Sequence, residues 1–267
     1  MEYCIKKFTF RYADYWKFIT GKKFIDKKKK GDIIYINMIV ELSPQEEKKM
    51  DLREKRKIEL ENQKNQRKEE VISAALEVFK KQGVENAKMT DIAKKAEIGV
   101  ASVYRYFKTK PDLVVEAACK FLEDEISELS QYYSNKDFIE KDGITKVKEI
   151  LEVFIKLYRE HKDFLRFIDQ FDTYAIKENV SKEKLSVYER KIIDLKPLLV
   201  NALECGKEDG TIRRDLNSER LYFTINHALM SLCQKLVLKG DILKSDEYVE
   251  SEEQIKIIIE MALKYIS

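Results

Sequence analysis

No glycine or proline interrupts the sequence between Pro44 and Gly83. The whole chain of 267 residues holds only eight glycines and three prolines, so the residues that break helices are scarce throughout. Hydrophobic residues make up 44% of the chain, enough for a sizeable core, and charged residues make up 37%. These properties predict a soluble, all-α protein.

The segment before Gly83 carries the first clear helical pattern. Apolar residues recur at the i, i+3, i+4, i+7 spacing of one helix face, at Ile72, Ala75, Leu76 and Phe79. Gly83 is suited to end this helix. Further upstream, Ser43-Pro44-Gln45-Glu46 is typical of a helix start, and the charged residues 46–70 predict a solvated lead-in.

Residues 1–42 combine many aromatic side chains with a lysine run at 27–30, followed by the strand-like GDIIYINMIVEL. One interpretation is a basic arm that binds DNA phosphates. The other is a poorly ordered extension, with Met38 or Met50 as the true start. We favour the second, because unanchored termini are commonly disordered.

Charge is unevenly distributed along the chain. Residues 1–37 hold ten basic and four acidic side chains, and residues 67–113 hold ten and seven. Residues 114–267 hold 24 and 30. A basic N-terminal part and an acidic C-terminal part suit a protein whose N-terminal part binds a polyanion. Taken alone, the uneven charge is explained equally well by chance.

Several classes of function find no support in the sequence. The cysteines form no CxxC pair, and His161 and His227 lie far apart, so we expect no metal site and no cofactor. A Ser/His/Asp cluster and a glycine-rich phosphate loop are also missing, so we expect no enzyme. Apolar runs are too short to span a membrane, and the N-terminus lacks a signal-peptide core, which predicts a cytoplasmic protein.

Two short helices are predicted between Gly83 and Pro111. In the first, Thr90 is the expected N-cap, and Ile92, Ala93 and Ala96 form its apolar face. A break at 97–99 separates it from a helix over 100–107, and Pro111 then begins another helix, with Asp112 complementing its dipole. Two short helices joined by such a turn, with a leading helix to pack on, make a helix-turn-helix.

The second short helix is crowded with large side chains. Val103 and Phe107 are four residues apart and should face the core. This leaves a surface that consists of Ala101, Ser102, Tyr104, Arg105 and Tyr106. Either the tyrosines pack against the leading helix, or this surface meets a partner.

The run MTDIAKKAEIGVASVYRYFKTKPDLV resembles the DNA-binding signature of the tetracycline-repressor-like (TetR/AcrR) family. RKEEVISAALEVFKKQG resembles the first helix of that family, so the resemblance covers about 67–115. Two departures concern the turn: Glu97 stands where the family has Gly, and Gly99 replaces a Ser or Thr cap. The resemblance implies a DNA-binding regulator of transcription, most simply a repressor on a palindromic operator in double-stranded DNA.

Roles on DNA follow for the residues that match the signature. The second short helix would enter the major groove, where Val100 and Ala101 meet thymine methyl groups and Ser102 and Arg105 bind base edges or phosphate. The resemblance implies backbone contacts for Thr90, Tyr104, Tyr106 and Lys110. Such phosphate contacts give affinity without sequence preference. We expect Lys94, Lys95 and Lys108 to contribute only general electrostatics.

The remaining chain predicts helices at 111–134, 144–160, 162–178, 181–206, 216–239 and 251–266, with a kink at Pro197, a turn framed by Gly206 and Gly210, and a loop at 241–250. We divide the chain into an extension (1–64), a DNA-binding domain (65–125, with the motif at about 88–107) and a helical regulatory domain (126–267).

The resemblance further implies a ligand cavity in the regulatory domain, for an unknown small-molecule effector, and a homodimer formed by the last two helices. Candidate cavity residues are Phe154, Tyr158, Phe164, Phe167, Phe171, Tyr174, Tyr188, Tyr222 and His227. Candidate dimer stripes are Leu221, Ile225, Leu229, Leu232 and Leu236, and Ile255, Ile258, Ile259, Ala262 and Ile266. Ordinary core packing is the competing explanation for each set. A DNA-bound nucleoid or interaction protein with a protein partner is the alternative function.

Overall fold

The structure, a computed structural model, describes residues 52–133, 135–193, 195–240, 242 and 244–267. These residues form helices, turns and loops without a strand, so the all-α prediction is confirmed for them. The strand-like segment at 31–42 and the helix start at Ser43 lie outside the described residues. Two compact units divide the chain, the first ending at Glu69 and the second running from Glu70 to Ser267.

Helix α1 spans Leu52–Gln82. In the first unit its side chains from 55 to 67 are exposed, as predicted for a solvated lead-in. In the second unit its apolar face is buried through Ile72, Ala75 and Phe79. The helix ends where the sequence indicated, because Gly83 adopts a φ of +83° that side-chain-bearing residues rarely reach.

Three helices follow α1: α2 (Met89–Lys95), α3 (Val100–Tyr106) and α4 (Lys110–Tyr133). The N-cap of α2 is Lys88 and not Thr90 as predicted. Asp91 explains the earlier start, since its carboxylate accepts the Lys88 backbone N–H at 3.4 Å. Pro111 lies in the first turn of α4, as predicted. Since α4 runs continuously past residue 125, the boundary placed there stays a prediction.

The remaining helices are α5 (Lys136–Ile139), α6 (Gly143–Glu160), α7 (Lys162–Lys177), α8 (Lys182–Ile193), α9 (Lys196–Asp209), α10 (Ser218–Lys239) and α11 (Ser251–Ile266). Helix α6 lies at their centre and packs against α7, α9, α10 and α11. Helix α4 packs against α7 and α8. Within the described part of the chain, no helix combines the length and apolarity needed to cross a membrane.

The segment predicted as one kinked helix at 181–206 is two helices, α8 and α9. Pro197 lies in the first turn of α9, where its missing N–H costs nothing, so the helix restarts and does not bend. Gly206 lies inside α9 and frames no turn. Gly210 alone ends this helix, in the left-handed conformation with a φ of +84°.

Two further short elements were not predicted. Helix α5 begins because Asn135 caps it, its side-chain oxygen accepting the Asp137 backbone N–H at 3.2 Å. The region predicted as a loop at 241–250 contains a 3₁₀ helix over Lys244–Tyr248. Helix α10 is capped in the same way: the side-chain oxygen of Asn217 accepts the Arg220 backbone N–H at 2.9 Å.

Candidate nucleic-acid interface

Helix α3 separates its residues into an inner and an outer face, as the sequence predicted. Val103 and Phe107 are buried against the second unit's core. Ile92 and Ala93 of α2 are buried beside them, because α2 and α3 pack directly against each other. This packing fixes the orientation of α3, so the residues on its other side are presented outward by a rigid support.

The outer face of α3 is polar and aromatic. Ala101 and Arg105 are exposed, and Tyr104 leaves 49% of its surface in solvent. Val100, Ser102 and Tyr106 are partly exposed. The six α3 residues predicted for DNA contact are therefore all at least partly exposed.

Arg105 lies beside an aromatic ring on this face. Its guanidinium carbon is 5.4 Å from the centre of the Tyr106 ring, a distance at which a cation is attracted to the π face. At the start of α3, a side chain added to Gly99 would meet no atom within 4 Å. The small residue therefore leaves open space in front of the helix, and it is not required for packing inside the protein.

The turn between α2 and α3 ends α2 with a Schellman motif. The Ile98 N–H donates to the Ala93 carbonyl at 3.0 Å, and the Glu97 N–H donates to Lys94 at 3.3 Å. Glu97 occupies the left-handed position with a φ of 56°. Although Glu97 stands where the family signature has Gly, the turn keeps a shape that favours glycine, and Glu97 carries the strain.

We expect Glu97→Gly to stabilise the protein. A left-handed conformation costs an L-residue about 1–2 kcal/mol, and glycine relieves this strain. Glycine also raises the conformational entropy of the unfolded chain, which offsets about 0.4–1 kcal/mol of the stabilisation. The free energy of unfolding should rise by up to about 1 kcal/mol, measured by denaturant titration. Glu189→Gly, the same change at an exposed position inside α8, should lower it by about 1 kcal/mol. Equal losses in both variants would contradict the strain at Glu97.

Two predicted phosphate-binding residues lie outside α3. Thr90 is exposed on α2. Lys110 has partners inside the protein: its ammonium donates to the Glu85 carbonyl at 2.8 Å and lies 5.1 Å from the centre of the Tyr174 ring. Burial lowers the pKa of Lys110, while Glu178 and Glu85 act in the opposite direction. Contact between Lys110 and phosphate stays a prediction.

The three lysines assigned to general electrostatics differ in their surroundings. Lys94 and Lys108 are exposed, and Lys95 forms an ion pair of 2.5 Å with Glu77 of α1. Surface pairs of this kind contribute little to stability. Lys108 lies just past the end of α3, near Arg105 in the sequence, and its side chain is exposed.

The candidate ligand residues of α7 share one buried face. Phe167, Phe171 and Tyr174 are spaced at i, i+4 and i+7, and each is at most 5% exposed. Phe167 lies 5.5 Å from Phe121 of α4, and Phe171 lies 4.8 Å from Tyr188 of α8, measured between ring centres. Phe121 is not among the cavity residues predicted from the sequence, although it is buried, as are Ala117 and Ala118, which precede it on α4.

The other candidates are more dispersed. Phe154, Phe164 and Tyr188 are buried and Tyr158 is partly exposed, while the Tyr222 hydroxyl donates to the Ile192 carbonyl at 3.1 Å. Burial raises the pKa of Tyr222 to about 12. An interior position for His227 is wrong, because this side chain is exposed on α10, 6.2 Å from the Phe223 ring. The spacing of α10 places residue 227 two positions from the buried Ile225 and Leu229, on another face of the helix.

The supporting helix, the turn and the exposed α3 define a helix-turn-helix protein. The protein-family model for bacterial regulatory proteins of the tetR family matches residues 71–117, which run from the end of α1 to the start of α4. The HTH-type transcriptional regulator LuxR of Vibrio harveyi is 29% identical over 100 residues, which cover 38% of this chain. The match spans 47% of that relative, about half its length.

Solved structures extend the likeness of fold to the helices that follow this motif. A TetR transcription regulator from Haloarcula marismortui has a TM-score of 0.59 at 15% identity, covering 76% of this chain and 97% of that one. The FadR regulator from Bacillus subtilis in complex with stearoyl-CoA has a TM-score of 0.53 at 18% identity, covering 74% and 98%. The likeness to bacterial regulatory proteins of the tetR family is therefore shown for residues 71–117, and the solved structures show a similar fold for the helices that follow.

Proposed function

We propose that this protein is a transcriptional repressor that binds a palindromic operator as a homodimer and is released by a small-molecule effector. The observation that carries the proposal is the outer face of α3, where Ala101, Tyr104 and Arg105 project from a helix whose Val103 and Phe107 are buried. Small residues at the helix start allow close approach to base edges, and the tyrosines and arginine supply hydrogen bonds to DNA. A protein acting on DNA in this way works in the cytoplasm.

The outer face of α11 supports dimerisation. Ile255, Ile259 and Ile266 are buried within the protomer, so these members of the stripe predicted for the interface belong to the core. A different set faces outward at i, i+4 and i+8: Ile257, Met261 and Tyr265 are 40%, 60% and 57% exposed. On α10, Phe223 is 39% exposed. Exposed apolar side chains in such an arrangement suit a two-fold interface between copies of the chain.

Dimerisation through this face gives a direct prediction. We expect the double variant Ile257→Glu/Met261→Glu to be monomeric in analytical ultracentrifugation, because four carboxylates would meet across the two-fold interface. The fold should persist, since both positions are exposed. Val187→Glu adds a carboxylate at a position of similar exposure on α8 and should leave the protein dimeric. A double variant that keeps the mass of a dimer would rule out this interface.

The buried rings of α4, α7 and α8 support a regulatory domain that accommodates an effector with an apolar body. Phe121, Phe167 and Phe171 lie along the two helices α4 and α7. Helix α4 leads directly from the DNA-binding helices into this region. An effector that favours another angle of α4 would change the spacing of the two α3 helices and shift the population away from the DNA-bound form.

Selection of bound fragments from a random DNA pool tests the function. We expect an enriched palindrome whose half-sites are about 34–36 Å apart, one helical turn of B-DNA. Enrichment of an asymmetric site would contradict the dimeric arrangement. Absence of any enriched site, with binding scattered over all sequences, would contradict the repressor and favour the nucleoid protein.

A further inference from the structure

Helix α7 contacts the loop that connects α1 with α2. The Val84 backbone N–H donates to the side-chain oxygen of Gln170 at 3.0 Å. The same oxygen lies 3.5 Å from the place where a Cβ on Gly83 would stand, so the glutamine packs directly against the loop. Val84 is fully buried, and without Gln170 its N–H would lose the only hydrogen bond that the structure gives it among the described residues.

Two more residues of α7 reach the neighbourhood of Glu85. Lys177 forms an ion pair with the Glu85 carboxylate. Tyr174 lies under the Lys110 ammonium, which donates to the Glu85 carbonyl. Gln170, Tyr174 and Lys177 follow one another at i, i+4 and i+7, so they project from one face of α7.

Among these contacts, the hydrogen bond that Gln170 accepts from the Val84 N–H is the one that holds the backbone of the loop after α1. Val84 lies just after Gly83, the first residue beyond α1, and α2 begins only five positions later at Met89. The loop is otherwise closed on itself by the Ala87 N–H, which donates to the Gly83 carbonyl at 3.2 Å. A bond to Val84 therefore sets the direction in which the chain leaves α1 for the two helices of the DNA-binding motif.

We propose that Gln170 is a positioning residue for DNA recognition, which acts by holding the Val84 backbone in the loop between α1 and α2. This inference rests on the proposed function. It adds a second connection to the one made by α4, because α7 also carries Phe167 and Phe171 on the buried aromatic face. A shift of α7 would then reach the DNA-binding helices directly through Gln170.

Two variants at this position separate positioning from general stability. Gln170→Met keeps the length of the side chain and removes the acceptor, whereas Gln170→Glu keeps an oxygen that can accept the Val84 N–H. For Gln170→Met we expect affinity for the selected operator to fall roughly tenfold, the effect of losing one buried hydrogen bond, with affinity for random DNA within about twofold of wild type. Gln170→Glu should restore the preference for the operator.

Amide hydrogen exchange on the same full-length proteins provides a readout that needs no DNA. We expect the Val84 amide to exchange at least about tenfold faster in Gln170→Met and at nearly the wild-type rate in Gln170→Glu. Unchanged exchange in Gln170→Met, equal losses on operator and random DNA, or a Gln170→Glu variant that behaves like Gln170→Met would each overturn the inference. If the wild-type protein binds no DNA, the proposed function is overturned as well. If the wild type binds the operator and Gln170→Met binds it with the same affinity, only this inference is overturned.

Discussion

Gly143→Ala is expected to lower the free energy of unfolding by about 3 kcal/mol or more, at or beyond the upper end for overpacked sites. A Cβ on Gly143 would stand 2.1 Å from both the Cα and the N of Gly206, well inside the distance at which heavy atoms repel. Both obstructing atoms belong to the backbone, so a change of side-chain rotamer gives no relief. Helix α6 would have to move away from α9, against which it packs.

The separation of α6 from α9 would also affect the bonds at this junction. Asp209 of α9 accepts the Gly143 backbone N–H at 2.7 Å, and Thr211 accepts the Ile144 N–H at 3.2 Å. Ile212 also packs closely on Gly206: a Cβ on Gly206 would lie 2.4 Å from the terminal methyl carbon of Ile212. The contact surface is therefore tight on both sides of Gly206.

Thermal unfolding measures this prediction. For a protein of this size, 3 kcal/mol corresponds to a fall in the melting temperature of roughly 6–12 °C. Gly99→Ser is the control, because its side chain would meet no atom within 4 Å and serine is a better N-cap for α3. Its melting temperature should equal or slightly exceed that of wild type. A Gly143→Ala protein that melts within about 2 °C of wild type would show that α6 and α9 can separate at little cost.

The DNA-binding motif could be predicted from the sequence because its determinants are local. Val103 and Phe107 are four residues apart, and this spacing alone assigned them to the buried face of α3. Gly83 likewise marked the end of α1, and residues 97–99 marked the break between α2 and α3. Even the unusual turn was visible as the departure at Glu97, although the sequence could not indicate that the backbone keeps its left-handed conformation.

Features that depend on distant residues could not be predicted in this way. Gly143 and Gly206 are far apart in the sequence, and nothing in either neighbourhood indicates that two helix backbones meet there. Similarly, α7 contacts Val84 through Gln170 across the fold. His227 lies in an apolar helix, yet which side of that helix is buried depends on its neighbours in space. Pro197 indicated that the helix is interrupted, but packing determines whether a helix bends there or ends and restarts.

Arg105→Ala is expected to reduce affinity for the operator about tenfold to hundredfold per half-site, which corresponds to the 1–3 kcal/mol of a bidentate contact with guanine. Arg105 is exposed on the outer face of α3, and its guanidinium lies beside the Tyr106 ring, which limits its freedom before DNA is bound. Affinity for random DNA should fall much less, because that binding depends mainly on charge. Fluorescence anisotropy with operator and random duplexes at one salt concentration measures both.

Lys108→Ala provides the matched control, since it also removes one positive charge from an exposed residue beside α3. If Lys108 acts only through general electrostatics, its loss should weaken binding to both duplexes by similar factors and reduce the salt dependence by about one counterion. Base recognition by Arg105 therefore requires a different pattern: a large loss on the operator, a small loss on random DNA, and a changed base preference when the selection is repeated with the variant. Equal losses of Arg105→Ala on both duplexes would assign Arg105 to phosphate contact, and base discrimination would then fall to Val100, Ala101 and Ser102.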